Sequence, residues 1–141
     1  PLRRQRQMCI ETAGKTYYYK IKTVVKTQNG EQTSGFSNVK SAKAVPAKTT
    51  LKAKASDAKN VKLTWSKVKG ASGYEIYCSN SKDGKYSKVK TISKGSTTSY
   101  KNGKLKKSTT YYYKIRAYRK VNGKKVYGSY SSVVSVKTKA K

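Results

Sequence analysis

The sequence lacks the residues on which most enzymes and metal sites depend. It contains no histidine, and its five acidic residues are scattered along 141 positions. Histidine is the commonest general base and metal ligand, and glycoside hydrolysis requires a pair of carboxyl groups. A glycine-rich phosphate loop and a cysteine cluster are also missing. We therefore predict no catalytic residues, no metal site and no cofactor, and we expect a protein that is not an enzyme.

Cysteine and long apolar runs are scarce as well. The two cysteines, Cys9 and Cys78, fall in different copies of an internal repeat, so we expect no disulfide between them. Cys78 shares strand parity with Ile76, which predicts a small apolar side chain in a core. No run approaches the roughly 20 apolar residues of a membrane-spanning helix. The chain begins at Pro1 and shows no apolar signal segment, so we expect a piece of a longer protein.

Positive charge is the most abundant feature of the chain. Lys and Arg total 34 against 5 acids, for a formal charge of +29. One interpretation is a solvated surface, because many lysines stand between apolar strand positions, as Lys62 does. The other is a polyanionic partner, which such a field attracts at long range. Lysine acts as a point charge whereas arginine binds phosphate through two bonds, so the excess of lysine indicates unspecific attraction.

A strand-like phrase occurs twice. Residues 109–120 read Thr-Thr-Tyr-Tyr-Tyr-Lys-Ile-Arg-Ala-Tyr-Arg-Lys, and a close copy at residues 16–23 stands ninety-four positions earlier. The offset is about the length of one small β-sandwich. Strand side chains alternate between two faces. One face is predicted to hold Tyr111, Tyr113, Ile115 and Ala117, and the other Tyr112, Lys114, Arg116, Tyr118 and Lys120.

Turn signals divide the remaining chain into short strands. Asn-Gly and Asp-Gly dipeptides favour tight hairpins, and close strand spacing is typical of an antiparallel sandwich. Upstream, strands at 16–26 and 36–44 flank an Asn29-Gly30 turn, and Pro46 marks a linker. Seven strands are predicted further on, at 51–55, 61–65, 74–78, 86–92, 98–100, 109–120 and through 133–137.

Residues 1–11 do not fit the repeat. They show no clean alternation, and Glu11 stands where the second copy has Leu105. We expect an irregular, poorly ordered stretch that is foreign to the repeat; a diverged loop is the alternative.

Taken together, these motifs resemble the fibronectin type III family. The pattern from Leu105 through Tyr111 to Ala117 is similar to the family's sixth strand and the corner before it. Trp65 is similar to its second-strand tryptophan, and residues 73–77 to its third strand. The resemblance covers about residues 48–139 and implies an all-β, seven-stranded antiparallel immunoglobulin-like sandwich. It also implies that Tyr111 is a corner tyrosine whose hydroxyl bonds nearby backbone, and that Trp65 lies in the central core.

The first copy resembles only the last two strands of such a module. Residues 12–45 are therefore expected to be a two-stranded hairpin, the C-terminal part of a truncated copy, followed by a complete module at residues 46–141. Two strands alone are marginally stable in water.

The Lys- and Tyr-rich character is similar to repeats on secreted and wall-attached proteins of Gram-positive bacteria. That resemblance implies an extracellular, non-catalytic spacer or accessory module beside other domains of the same protein. Its Lys-rich faces would be attracted to anionic cell-wall polymers such as teichoic acids. One alternative is a carbohydrate- or wall-binding module attached to a secreted hydrolase. A second, less expected alternative is unspecific nucleic-acid binding.

The candidate binding surface is the outward face of residues 109–120. Its members are Tyr112, Lys114, Arg116, Tyr118 and Lys120, joined by Tyr77 and Glu75 if the third strand is a neighbour. Flat aromatic rings with interleaved cations suit stacking on sugars or bases. The alternative is an ordinary solvent face, where cross-strand Tyr and Lys pairs stabilise the sheet and Glu75 is a counter-ion.

Overall fold

The computed structural model describes residues 14–141, and every regular element within that range is a β-strand. The chain divides into two compact units, one ending at Ala44 and one spanning Val45–Lys141. Within residues 14–141, no helix is long and apolar enough to cross a membrane. The expectations for residues 1–11 and for Cys9 fall outside the described residues.

The first unit is one long hairpin with two separate ladders. Strand β1 (Thr16–Tyr19) pairs with β4 (Lys40–Lys43), and β2 (Val24–Thr27) pairs with β3 (Gly30–Thr33). A turn is present at the predicted place but is shifted by one residue: its two central residues are Gln28 and Asn29, and Gly30, at a φ of 114°, begins β3 opposite Thr27. The predicted strand at 16–26 is split, and the one at 36–44 is shorter than expected and preceded by β3. Between the two ladders, a serine hydroxyl takes the place of a backbone carbonyl as acceptor: the Ser37 hydroxyl accepts the Ile21 N–H at 3.0 Å. The regular ladder is therefore interrupted there, and the predicted strand is split.

The hairpin leaves apolar side chains in solvent. Tyr18, Ile21, Phe36 and Val39 are all exposed, Ile21 to 75%. A two-stranded ribbon is a single layer, so it has no second sheet of its own to cover either face.

The second unit contains two antiparallel sheets, and its strands follow in chain order. They are β5 (Leu51–Ala55), β6 (Val61–Trp65), β7 (Gly73–Ser79), β8 (Ser87–Ile92), β9 (Ser99–Asn102), β10 (Thr110–Val121), β11 (Lys124–Tyr127) and β12 (Val134–Lys137). One sheet has the order β5-β6-β9, and the other has the order β11-β10-β7-β8 with β12 also paired to β10. The predicted last strand is thus two segments, β11 and β12, interrupted between Tyr127 and Val134.

The core lies between the two sheets, as the alternation predicts. Trp65 is 6% exposed and packs 5.5 Å, ring to ring, from Tyr74, which confirms its central place. Cys78 is half-buried and packs against this core. The inward residues of β10 are all buried, as predicted: Tyr111, Tyr113, Ile115 and Ala117.

Strands β10–β12 repeat the register of the first hairpin. The Ser131 N–H bonds the Ile115 carbonyl at 2.7 Å. At the matching positions of the first hairpin, the Ser37 N–H bonds the Ile21 carbonyl, also at 2.7 Å. The sequence repeat is therefore a repeat of backbone pairing, while the origin of residues 12–45 as a truncated module stays a prediction. The matching pairs are Tyr118–Tyr127 with Val24–Thr33, and Thr110–Lys137 with Thr16–Lys43.

The corner before β10 is closed by Tyr111, as the resemblance implies. Its hydroxyl accepts the Lys106 N–H at 3.0 Å, and its side chain is buried. The neighbouring Tyr112 points to the other face, is half-buried, and makes no side-chain hydrogen bond to any residue of the described range.

Tyr111→Phe tests the corner. We expect it to lower the free energy of unfolding by about 1 kcal/mol, because it removes the acceptor of the Lys106 N–H while keeping the ring. Tyr112→Phe is the matched control and should change stability by less than about 0.5 kcal/mol. Urea denaturation of both variants provides the measurement, and equal effects would contradict the corner assignment.

Candidate functional site on the outer face of the larger sheet

Strand β7 lies beside β10, as the candidate surface requires. In the antiparallel register, Glu75 stands opposite Arg116 and Tyr77 opposite Lys114. Both pairs point outward, because they share parity with each other and not with the buried Ile76 and Ile115. The sequence prediction that Glu75 and Tyr77 join this surface is confirmed.

Glu75 is the centre of the surface. Its side chain is only 1% exposed, and both carboxylate oxygens accept hydrogen bonds. Arg116 donates to Oε2 through Nη2 at 2.9 Å, and the Tyr77 hydroxyl donates to the same oxygen at 2.8 Å. Lys125 donates to Oε1 at 3.0 Å, the Tyr127 hydroxyl donates at 3.2 Å, and the Lys88 ammonium lies 3.6 Å away. We call Glu75 and these five partners the Glu75 cluster.

The cluster fixes the charge state of its members. Burial alone would raise the pKa of Glu75, but the hydrogen bonds from Arg116, Lys125 and Tyr77 outweigh it and hold that pKa at about 2. Burial, together with the hydrogen bond to Glu75, raises the pKa of Tyr77. The hydrogen bond to Glu75 raises the pKa of Lys125. A carboxyl group with so low a pKa stays ionised at neutral pH and is a weak base, and both of its oxygens already accept hydrogen bonds. The cluster is therefore organised as an ion-pair network.

Cations and tyrosine rings alternate along this face. The Arg116 guanidinium carbon lies 3.7 Å from the centre of the Tyr127 ring and 4.9 Å from that of Tyr130. The Lys114 ammonium lies 4.5 Å from the Tyr130 ring centre and 4.2 Å from that of Tyr86. Such contacts each contribute about 0.5–1 kcal/mol at exposed sites. Each of these rings therefore has at least one of the protein's own cations against it.

The expectation that Tyr118 is available to a ligand is wrong. It lies on the outward face, as predicted, but it is only 1% exposed. Its ring crosses over Gly73, which has no side chain to displace it, and its hydroxyl donates to the Ile92 carbonyl at 3.2 Å. The Lys125 ammonium covers the ring, 4.5 Å from its centre.

The other predicted site residues fall into two groups. Tyr77, Lys114 and Arg116 are brought together in the network of cations and rings. Tyr112 and Lys120 lie toward opposite ends of β10, half-buried and exposed respectively, outside the network. As ligand-binding residues, all of these remain predictions.

Sequence reasoning missed Tyr86, Tyr127, Tyr130, Lys88 and Lys125. Lys125 and Tyr127 are two positions apart in the short β11 and so share one face. Recognising that strand would have placed both on the outward face beside β10. Tyr130 lies in the interruption between β11 and β12, where strand alternation is absent, and the signal that could have marked it is its match to Phe36 at the repeat offset.

The stacking recurs in the first hairpin. There the Lys20 ammonium lies 4.1 Å from the centre of the Phe36 ring, and the Lys22 ammonium lies 5.7 Å from it. These residues match Lys114, Arg116 and Tyr130 at the repeat offset. The outward face thus repeats together with the register, and an ammonium on a ring is a property of both hairpins.

No metal centre accompanies this surface. Across residues 14–141, no group of three or more His, Cys, Asp or Glu side chains is placed to hold an ion.

Comparison with known proteins places the second unit. A model of the "Fibronectin type III domain" matches residues 45–134. A solved Fn3-like protein from Clostridium thermocellum is 28% identical with a TM-score of 0.54, covering 67% of this chain and 92% of that one. A fibronectin type III domain from the human KIAA0970 protein is 26% identical with a TM-score of 0.51, covering 68% of this chain and 72% of that one.

A longer structure and the curated proteins complete the comparison. The chicken CNTN1 FN1-FN3 domains are 22% identical to this chain with a TM-score of 0.58, which shows a similar fold. That alignment covers 92% of this chain but only 45% of the chicken chain. No curated protein matches in sequence.

Glu75→Gln tests the ion-pair network. At neutral pH we expect a loss of about 3 kcal/mol in the free energy of unfolding, because Arg116 and Lys125 lose their counter-ion. The pKa of Glu75 is lowered from 4.5 to about 2, so its contribution is complete above pH 4.5 and is lost as the pH falls toward 2. The difference between wild type and variant should therefore shrink over that interval, as measured by urea unfolding at a series of pH values.

Asp83→Asn is the control, since Asp83 is an exposed acid in a turn of the same unit. We expect it to change stability by less than about 0.5 kcal/mol. A loss in Glu75→Gln that stays constant down to pH 2 would show that folding does not lower the pKa of Glu75.

Proposed function

Because the chain belongs to the fibronectin type III family, we propose that it is a non-catalytic spacer or accessory module of a larger secreted or cell-surface protein. Domains of this family commonly serve as non-catalytic modules and are common in extracellular proteins. The packed sandwich holds neighbouring domains of the same protein at a distance. Its Lys-rich faces attract anionic cell-wall polymers, teichoic acids among them.

The observation that supports the electrostatic part is the near absence of exposed negative charge on the second unit. That unit has three acids, Asp57, Glu75 and Asp83. Glu75 is buried among its cations, and Asp57 accepts bonds from the Lys59 N–H and the Asn60 side chain, both at 2.8 Å. The lysines around them dominate the field, which attracts a polyanion at long range and weakens with salt.

The arrangement of the tyrosines favours this proposal over the carbohydrate-binding alternative. A sugar stacks on an open ring face, and cations already lie against the rings of Tyr127 (Arg116) and Tyr130 (Lys114), which leaves less ring surface for a sugar. Tyr118 is buried. Tyr112 is the predicted aromatic residue that keeps exposed surface without a cation over it in the described range.

Binding of the full chain to purified Gram-positive cell walls, with and without teichoic acid and across a salt series, tests the proposal. We expect binding to fall steeply with salt and to be lost when teichoic acid is removed. Neutral glycans should not retain the protein, because charge cannot provide that interaction.

Binding that persists without teichoic acid and at high salt would overturn the electrostatic proposal. If that binding is then lost in Tyr112→Ala, the carbohydrate-binding alternative takes its place. Tyr118→Ala is unsuitable for this purpose, since removing a buried ring disturbs the sheet itself.

A further inference from the structure

Lysines stand in register across the outer face of the three-stranded sheet. Lys54 of β5 is directly opposite Lys62 of β6, and Lys62 is directly opposite Lys101 of β9. Neighbouring strands are about 4.8 Å apart, and same-face residues along a strand are about 7 Å apart. Lys52 therefore extends the row along β5. All four side chains are exposed, and we call them the lysine row.

Like charges directly opposite one another destabilise a sheet. The larger sheet offsets its own outward cations with the buried Glu75. The lysine row has no such partner: within residues 14–141, the ion pairs are all to Glu31 or Glu75. Asp57 is near enough to interact with Lys101 through space, although the two form no ion pair within the described residues. Lys54 and Lys62, which stand in register with Lys101, have no acidic side chain paired with them in that range.

Two shallow depressions on the same face place hydroxyl groups beside these lysines. One, of about 280 Å³, is lined by Ser56, Lys62, Ser99, Tyr100 and Lys101. The other, of about 200 Å³, is lined by Thr50, Lys52, Thr64, Trp65 and Ser66. An ammonium group beside hydroxyl donors is suitable for the oxygens of a phosphate group.

The face lacks what a nucleic acid would use for its bases. Single-stranded nucleic acids bind through aromatic side chains on which bases stack. The outward positions of β5, β6 and β9 are Lys, Thr and Ser. The two aromatic residues that line the depressions, Trp65 and Tyr100, have the opposite parity: Trp65 is a core residue only 6% exposed, and Tyr100 packs against the core. The chemistry therefore matches a charged backbone without bases.

We propose that the lysine row and its two hydroxyl-lined depressions form a binding face for a linear phosphodiester polymer that lies across strands β5, β6 and β9. This inference rests on the proposed function and assigns it to one face of the sandwich. Phosphate groups of the polymer replace the counter-ion that the sheet does not supply.

The test compares two variants of the full chain with equal changes in charge. The face variant is Lys52→Gln, Lys54→Gln, Lys62→Gln and Lys101→Gln. The control variant is Lys69→Gln, Lys94→Gln, Lys107→Gln and Lys139→Gln, all exposed loop or terminal positions outside this face. The probe is a fluorescently labelled, lipid-free poly(glycerol phosphate), and its affinity is measured by anisotropy across a salt series.

For the face variant we expect at least a tenfold loss of affinity at low salt. The slope of log K against log salt should fall by about three, because four phosphate contacts are lost. The control variant should lose about twofold in affinity and one unit or less in slope. Equal losses in both variants would overturn the assignment to this face and leave the electrostatic proposal standing. If the wild type does not bind the polymer, the proposed function itself fails.

Two further measurements sharpen the result. Single-stranded DNA with the same number of phosphates should bind no more tightly than the base-free polymer, and markedly tighter DNA binding would overturn the polymer class. The face variant should also melt about 2 °C higher than the wild type at low salt, because it relieves repulsion between lysines in register. A lower melting temperature would contradict the repulsive row, whereas weaker binding by a more stable protein excludes misfolding as its cause.

Discussion

The ion pair between Glu75 and Arg116 is the contact on which the larger sheet's outer face depends. Strands β7, β8, β10 and β11 each contribute a group to the Glu75 cluster, so one carboxylate connects four strands through their side chains. Burying a charge is costly unless it is paired and hydrogen-bonded. Here, both conditions are met at once, and the cations that would otherwise repel each other on this face are held against one negative centre. The tyrosine rings then pack between cations that already have fixed positions.

Much of the sandwich could be predicted from sequence, because period-two alternation is a local property. The buried face of β10, the core position of Trp65 and the corner bond of Tyr111 all follow from it together with the family motif. The burial of Tyr118 could not be predicted. Alternation along β10 predicts which face Tyr118 lies on. Its burial arises because Gly73 of β7 is the residue directly opposite, and that pairing is set by the register between distant segments.

The candidate site was predicted in position but not in character. Spacing along one strand places Lys114 and Arg116 on the outward face. It does not predict which tyrosine rings from other segments pack against these two cations. Tyr130, which both cations contact, lies in the break between β11 and β12. The two outer faces of the sandwich consequently differ in a way that composition conceals: one neutralises and stacks its cations internally, and the other leaves lysines in register facing solvent.

The shared register of the two hairpins also has a consequence for how the chain folds. The counterparts of β10 in the first hairpin, β1 and β2, end about 45 residues before β7, and β10 begins about 30 residues after it, so loop-closure entropy distinguishes the two as partners by less than about 0.5 kcal/mol. Side-chain chemistry does distinguish them. Glu31 stands at the repeat position of Lys125, and Thr33 stands at that of Tyr127, so the first hairpin lacks two of the groups that donate to Glu75 in the second unit. The repeat thus preserves the backbone pairing of the ribbon, while the side chains that hold the buried carboxylate belong to the second copy.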